Sequence, residues 1–453
     1  QERRIYPRTN LDLPVKLCFS NPATEHPSVE IEGQTCDLGI GGIRLVLRKK
    51  LPATLPTATL QIVTSSAKRP VKLCVRVVWL PPVSGNGIYR YGFQFTNVSY
   101  QQLKDLKALL WPKDEFIERT IQHILELAQH QLHRELIINF FKNDVKEFLI
   151  GIIRSCGETQ NGETTEIEGQ TRVNSFFDNV AWRGDALERT LNDKLLTLEV
   201  KKAFRLLTGS WIYRSRIIKL AYEKPRGYPG DYEMLELIYN NLPITTGAGR
   251  YLDRYFLDNA YAEAVRLRRK KMRYLLQTYI PRYTNEVVRV LNVGCGSSRE
   301  LRELFNTEAG LSGRVAITLL DQDREALNFS ERELLSIRPS VRLSCVQADV
   351  LRLLKDPKQA QNTLGDHDVV YTIGLADYFP DRVFGKFLRF CFERLHLNGR
   401  FIVAHKDRDV DQHSPLLPDW FCDWKFYPRN ESMLCELIKN SVPEATIEAV
   451  DRD

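Results

Sequence analysis

The 453 residues predict a multidomain chain: a small β-barrel, then an α-helical connector, then an α/β domain built on a parallel, doubly wound sheet. Three patterns lead there. The first 100 residues alternate in strand fashion between turn-forming segments. From Asp114 to about Tyr283, apolar residues recur at helical spacing. After Glu286, short apolar runs alternate with helical stretches.

In the first region, Val71–Trp79 and Tyr89–Phe95 are β-rich runs separated by Pro81-Pro82 and by Ser84-Gly-Asn-Gly87. Several short strands with such turns predict a small barrel over residues 1–110. A helical pattern at Leu103, Leu106 and Leu110 ends at Pro112. The connector, 111–285, opens with Ile117, Ile121, Ile124, Ala128, Leu132 and Leu136 on one helical face. Cys156–Thr171 holds Gly, Glu, Thr and Gln with almost nothing apolar, and predicts a surface loop. In the last region, 286–453, strands are expected at Val287–Val293, Val315–Leu320, Val341–Val346, Asp368–Tyr371 and Arg400–Ala404.

Composition narrows the function classes. With 43% hydrophobic and 27% charged residues the chain reads as globular. No apolar run approaches the roughly 20 residues that a membrane span needs. Gln1–Arg8 is charged, without the apolar core of a secretory leader. The nine cysteines are scattered, none in C-x-x-C or zinc spacing, which predicts reduced thiols and a cytoplasmic location. A net charge of +7 over this length does not argue for a nucleic-acid partner.

The first strand of the third region runs into Gly294-Cys-Gly296-Ser-Ser298 and then a helix. Glycines in such a turn let backbone N–H groups approach a ligand closely. Asp321, 27 residues beyond Gly294, ends the second strand, where a carboxylate can accept from ribose hydroxyls. Asp349 ends the third strand, within reach of an adenine amino group. The dinucleotide fingerprint fails because Arg299 takes its last glycine position, which argues against NAD. This half resembles the class I S-adenosylmethionine (SAM)-dependent methyltransferases, a Rossmann-like family. It departs from their first motif at Asn292, where the family has an acid, and at Ser298, where it has a glycine. The resemblance implies SAM as cofactor, held by Asn292, Gly294, Gly296, Asp321 and Asp349. Ile447–Asp453 would correspond to the sixth strand of that family, so its seventh strand is not expected within this sequence.

Two further segments point to the acceptor side. Lys224-Pro-Arg226-Gly-Tyr228-Pro-Gly-Asp231 precedes the α/β domain, and Tyr371-Thr-Ile-Gly-Leu-Ala-Asp377-Tyr378-Phe-Pro380 ends its fourth strand. Together they resemble a methyltransferase subgroup associated with 3-hydroxypalmitic acid methyl ester, an extracellular factor. That implies a small-molecule methyl acceptor, a carboxylate or an amine, served by Arg226, Tyr228, Asp231, Asp377 and Tyr378. An ionised carboxylate would be oriented by Arg226; an amine would need a carboxylate or tyrosine to take its proton. A structural ion pair between Arg226 and Asp231 is the competing reading. His405 is a further basic group, more often structural in such a position. The basic run Arg266–Lys271 reads as a solvated helix face, since it lacks the interleaved aromatics of a nucleic-acid surface. No Asn/Asp-Pro-Pro-aromatic tetrad follows the fourth strand, which argues against a nucleic-acid methyltransferase.

At the N-terminus, Arg4-Ile-Tyr-Pro-Arg8 is an R-x-x-x-R set, and Asp37-Leu-Gly39-Ile-Gly-Gly42 follows about thirty residues later. They resemble the PilZ domain, whose R-x-x-x-R and D/N-x-S-x-x-G motifs bind cyclic di-GMP; here Gly39 stands in the serine position. The resemblance implies that Arg4 and Arg8 clamp phosphate and stack on guanine. Asp37 would accept from a guanine edge, and Gly39 and Gly42 would lie beside the ligand. The whole reads as a cyclic di-GMP-regulated SAM-dependent methyltransferase. A non-catalytic cyclic di-GMP effector, using the α/β half as an adaptor, is the alternative.

Overall fold

The computed structural model describes residues 14–20, 27–39, 42–51, 58–62, 70–79, 88–99, 101–102, 105–106, 114–160, 164–284, 286–311, 313–409 and 417–451. The chain divides into two compact units, Gln1–Arg172 with Thr190–Arg214, and Val173–Arg189 with Ser215–Asp453. Residues 111–285 are shared between them. All nine cysteines are free thiols. Among the described residues no helix is long and apolar enough to cross a membrane, and no His/Cys/Asp/Glu group could hold a metal ion.

The first unit contains a closed barrel of six antiparallel strands: β1 (Pro14–Ser20), β2 (Pro27–Gly39), β3 (Gly42–Leu47), β4 (Ala58–Ile62), β5 (Val71–Trp79) and β6 (Tyr89–Thr96). The order around the barrel is β1-β2-β3-β6-β5-β4, and pairing of β1 with β4 closes it. Period-two alternation builds the core. On β5, Val71, Leu73 and Val75 are buried while Lys72, Cys74 and Arg76 are exposed. Leu17, Ile43, Leu45, Leu60, Ile62 and Phe93 complete the same interior. The N–H of Leu51 donates to the Tyr91 hydroxyl (3.0 Å), which ties the chain after β3 to β6.

The remainder of that unit is helical. Helices Asp114–Leu127, Gln131–Asn139, Lys146–Gln160 and Lys194–Ile212 are joined in part by a π-helical turn, Phe140–Val145. Phe140, Phe148 and Phe204 cluster with ring centroids 6.2 and 6.4 Å from Phe204. The polar stretch 156–171 corrects the sequence reading. Lys146–Gln160 carries helix through Cys156, and a new helix begins at Glu166. The reason is a capping box. The Thr165 N–H donates to the Glu168 carboxylate (3.0 Å), and the Glu168 N–H donates back to the Thr165 hydroxyl (3.2 Å). The helix from Lys194 is likewise capped by Asp193, which accepts from Leu195 and Leu196.

The second unit holds the parallel sheet: β7 (Val288–Val293), β8 (Val315–Asp321), β9 (Arg342–Gln347), β10 (His367–Ile373) and β11 (Leu395–Ala404), in the order β11-β10-β7-β8-β9. The order reverses between β7 and β10, the switch point where doubly wound folds place their ligand crevice. One apolar cluster around Val290, Ile317 and Tyr371 covers one face, and another around Leu291, Val370 and Phe387 covers the other. Residues 442–451 form no strand, so the sixth strand expected near Ile447 is not made.

The basic run Arg266–Lys271 lies in the helix Ala260–Tyr279, and four of its five charged side chains are engaged while Lys270 is exposed. Arg266 donates to the Leu257 carbonyl (2.9 Å), Arg268 pairs with Asp377 (3.1 Å), buried Arg269 pairs with Glu303, and Lys271 pairs with Asp451 (3.2 Å). Neighbouring segments supply the acceptors, and a single-helix pattern does not contain them.

Gly42 yields a test of the barrel. A Cβ there would lie 2.2 Å from the Phe93 carbonyl oxygen on β6, to which β3 is hydrogen-bonded. Backbone cannot yield cheaply, so Gly42→Ala is expected to destabilise the chain by about 1–3 kcal/mol. Urea denaturation followed by circular dichroism checks this, and an unshifted midpoint would contradict the packing described.

Candidate cofactor and acceptor site

The site forms where β7, β8, β9 and β10 end. After β7 the chain turns through Gly294 (φ +68°), Gly296 (φ +53°) and Ser298 (φ +46°) into the helix Arg299–Thr307. Left-handed φ at 294 and 296 is natural for glycine and strained for other residues. Side chains also crowd these positions, since a Cβ on Gly294 would meet Leu375 at 3.0 Å and one on Gly296 would meet Leu235 at 3.1 Å.

Asp321 ties the first turn to the second. Its carboxylate accepts from the N–H of Gly296 (2.9 Å) and from the N–H of Asp323 (2.9 Å). Burial pushes its carboxyl up, opposed by those backbone donors. Asp349 ends the third strand as the N-cap of a short helix, accepting from the Leu351 N–H (2.8 Å). Ser297, 1% exposed, has a hydroxyl oxygen with no partner among the described residues. A buried orphan hydroxyl in a glycine turn at the switch point fits a ligand with polar atoms.

Asn292 contacts the helix that follows the glycine turn. It is buried in β7, and its amide donates to Glu300 Oε1 (3.2 Å), which also accepts from the Tyr371 hydroxyl (2.7 Å). Its amide nitrogen thus joins an internal network with Glu300 and Tyr371.

The turn 224–231 is anchored to the end of β8. Arg226 pairs with Asp323 (3.2 Å), Glu325 (2.6 Å) and Glu233 (2.9 Å), stacks on Tyr232 (4.6 Å) and stands 3.9 Å from Asp231. Asp323 and Glu325 are partners that the sequence reading missed; their only linear signal is position just after Asp321. Tyr228 donates to Asp323 (3.4 Å), and burial, with Asp321 and Asp323 nearby, raises its pKa. Asp231 caps the helix Tyr232–Asn240 by accepting from the Met234 N–H (2.8 Å). Burial raises the Asp231 carboxyl as well.

Beyond β10, Asp377 is buried and fully engaged. It pairs with Arg268 (3.1 Å) and accepts from the Lys406 N–H (2.8 Å), and His405 Nδ1 lies 3.2 Å from it. Burial lowers the His405 pKa, so near neutral pH the ring is uncharged. The Tyr378 hydroxyl accepts from the Trp424 indole (2.8 Å) and donates to the Pro229 carbonyl (3.4 Å), joining the segment after β10 to the turn 224–231. Phe426 stacks on Tyr378 (5.7 Å) and on Tyr261 (6.3 Å), and the Lys406 ammonium lies 3.3 Å from the Tyr261 ring centre. The aromatic wall of Tyr261, Trp424 and Phe426 was not anticipated. Trp424-Lys-Phe426 is an aromatic-rich triplet, but nothing in its spacing ties it to Tyr378.

Of the expected cyclic di-GMP ligands, Arg4 and Arg8 lie outside the described residues. Asp37 and Gly39 lie on β2, paired with Arg44 and Gly42 of β3, past an irregularity in the ladder. The lack of a Cβ at Gly42 is accounted for by the closeness of β6.

The Glu300 network gives a pH test. Burial pushes its carboxyl from 4.5 up to about 7, with the Tyr371 hydroxyl opposing. The folded chain therefore keeps a proton that the unfolded chain loses, and stability falls as pH rises through that window, by up to about 3 kcal/mol. Glu300→Gln retains an acceptor for Asn292 and Tyr371 and removes this titration. Urea midpoints at about pH 5 and about pH 8 are expected to differ less in the variant than in the parent; identical differences would refute the assignment.

Residues 2–110 match the PilZ domain, and residues 215–339 match the family described as "Putative methyltransferase". The second match contains both the turn 224–231 and the glycine turn after β7. No curated protein matches the sequence. Similar solved structures include a possible exported protein from Bordetella parapertussis, 16% identical, covering 66% of this chain and 89% of that one at a TM-score of 0.39. The S-adenosylmethionine-dependent methyltransferase SibL in its apo form is 17% identical, covering 57% and 81% at a TM-score of 0.31. The Bacillus subtilis inhibitor of motility, MotI/DgrA, is 18% identical, covering 23% and 48% at a TM-score of 0.19. The chain therefore matches the PilZ domain over the barrel region and a putative methyltransferase family over 215–339, which includes β7 and β8 of the parallel sheet.

Proposed function

We propose that this protein is a SAM-dependent methyltransferase whose barrel binds cyclic di-GMP and regulates methyl transfer to a small molecule. The observation that carries the first half is the switch-point turn: Gly294 and Gly296 in left-handed conformation, Asp321 tied to Gly296, and the Ser297 hydroxyl buried without a partner among the described residues. These residues fit the polar groups of a nucleoside cofactor. Asp321 retains lone pairs for ribose hydroxyls, and Asp349 stands at the next strand end. When bound, SAM would supply a methyl group on a cationic sulfur. The aromatic faces of Tyr378, Trp424 and Phe426 suit a cation and an apolar acceptor alike.

The remaining candidates take positioning roles in this reading. Arg226, held by its carboxylates, fixes the turn that carries Tyr228 against Asp323. Asp231 caps the following helix, and Asp377 fixes Arg268 and the start of the segment after β11. A carboxylate acceptor, already ionised, needs no base and accords best with a site whose acids are all engaged. A fatty acid is one such acceptor, in line with the extracellular-factor resemblance. The same engagement of Asp231 and Asp377 favours the second reading, a non-catalytic adaptor. SAM titration with a screen of acceptors and labelled SAM separates the two: binding with turnover supports the enzyme, binding without turnover the adaptor.

In calorimetric titrations, Gly294→Arg or Asp321→Ala is expected to abolish SAM binding while leaving cyclic di-GMP binding intact. Arg4→Ala or Arg8→Ala is expected to do the reverse. Loss of both ligands in any one variant would contradict independent sites. Regulation carries its own test. A ligand shifts an equilibrium only through different affinities for its states, and such couplings are typically about 5–150-fold. Saturating cyclic di-GMP should change methyl transfer at least several-fold, and Arg8→Ala should erase the change. Equal rates would leave the barrel as a docking or localisation module.

A further inference from the structure

Among the described residues of the second unit, Arg394 is the buried arginine without an ion pair, and it lines a cavity away from the site above. It ends the connection into β11, and its carbonyl accepts from the His367 N–H (2.8 Å), which holds it where β10 and β11 begin. The glycine turn and Asp321 lie at the opposite, carboxyl ends of the parallel strands. Arg394 is 4% exposed, and its Nε and Nη1 have no partner among the described residues. A guanidinium removed from water without a counter-charge is costly, and its donors are shaped to take a carboxylate or phosphate.

Arg394 lines a cavity of about 520 Å³, in the range of small-molecule sites. The helix Asp381–Phe392 adds Arg382, Lys386 and Arg389 to the wall. Arg389 is paired with Glu444, and the one acid on this helix that lines the cavity, Asp381, is paired with Arg429. Arg382, Lys386 and Arg394 therefore face only Glu393 among the other charged lining groups. Leu353, Leu354, Pro357 and Leu437 supply an aliphatic side. A cavity whose wall combines surplus positive charge with aliphatic carbon matches an anion on a saturated hydrocarbon body. It offers a planar base little to stack on, Phe390 being its single aromatic residue.

We propose that this cavity is a second ligand site, distinct from the strand carboxyl ends, which binds a small aliphatic anion with its head group at Arg394. The proposal rests on the cavity and the buried arginine and is independent of methyl transfer.

Calorimetry on the full chain tests it with octanoate and octyl phosphate as probes, and with octan-1-ol, octylamine and inorganic phosphate as comparisons. The two aliphatic anions are expected to bind at least about tenfold more tightly than the alcohol, as loss of one charged hydrogen bond implies. The two anions also distinguish a carboxylate from a phosphate ligand. Arg394→Met is expected to remove that advantage. Lys386→Glu, on the exposed face of its helix, tests the same charge without touching the buried position and should weaken both anions several-fold. Equal binding of octanoate, octyl phosphate and octan-1-ol, or unchanged anion affinity in Lys386→Glu, would overturn the proposal. Binding of inorganic phosphate as tight as octyl phosphate would overturn the aliphatic part of it.

Discussion

The Asp321 carboxylate is the constraint on which the α/β site depends. One of its oxygens holds the N–H of Gly296 and the other holds that of Asp323. The turn after β7 and the turn after β8 therefore cannot move independently. Asp323 in turn receives Arg226, so the same chain of contacts reaches the segment 224–231. The glycine turn after β7, the turn after β8 and the segment 224–231 are thus coupled through one buried carboxylate. Burial makes that carboxylate costly to ionise, and the two backbone donors are what offset the cost.

A second anchor sits across the switch point. Asp377 collects Arg268 from the long helix, His405 from the end of β11 and the Lys406 N–H beside it. Tyr378, the next residue, is fixed by Trp424 and Pro229. Charged groups here act as framework, and the side chains packed beside them, Tyr378, Trp424 and Phe426, are aromatic. This division explains why several residues that look catalytic in one dimension are engaged in three. An acid at a helix N-cap or in a buried pair already spends part of its accepting capacity on the framework.

The parts legible in the sequence were those encoded by period and punctuation. The strands β5 to β11 follow from apolar alternation, and the glycine turn follows from its place between a strand and a helix. The loop expected at 156–171 was misread because polar composition outweighed a local signal, Thr165-Glu-Ile-Glu168, whose reciprocal hydrogen bonds start a helix. The basic run 266–271 was misread for a different reason. Its counter-charges, Asp377, Glu303 and Asp451, lie far along the chain, so no window around the run contains them.

By itself the sequence determined the element types, the parallel α/β character of the last region and the strand ends that carry Gly294, Gly296, Asp321 and Asp349. Those features depend on local sterics and on side-chain period, which are properties of short segments. Only the tertiary structure decided what each polar group faces. It turned Asn292 toward Glu300, surrounded Arg226 with carboxylates, built the aromatic wall from Tyr261, Trp424 and Phe426, and left Arg394 buried beside a cavity. Hydrogen bonds and ion pairs act over a few ångströms between residues that can be a hundred positions apart. Partner choice is therefore a property of the folded chain.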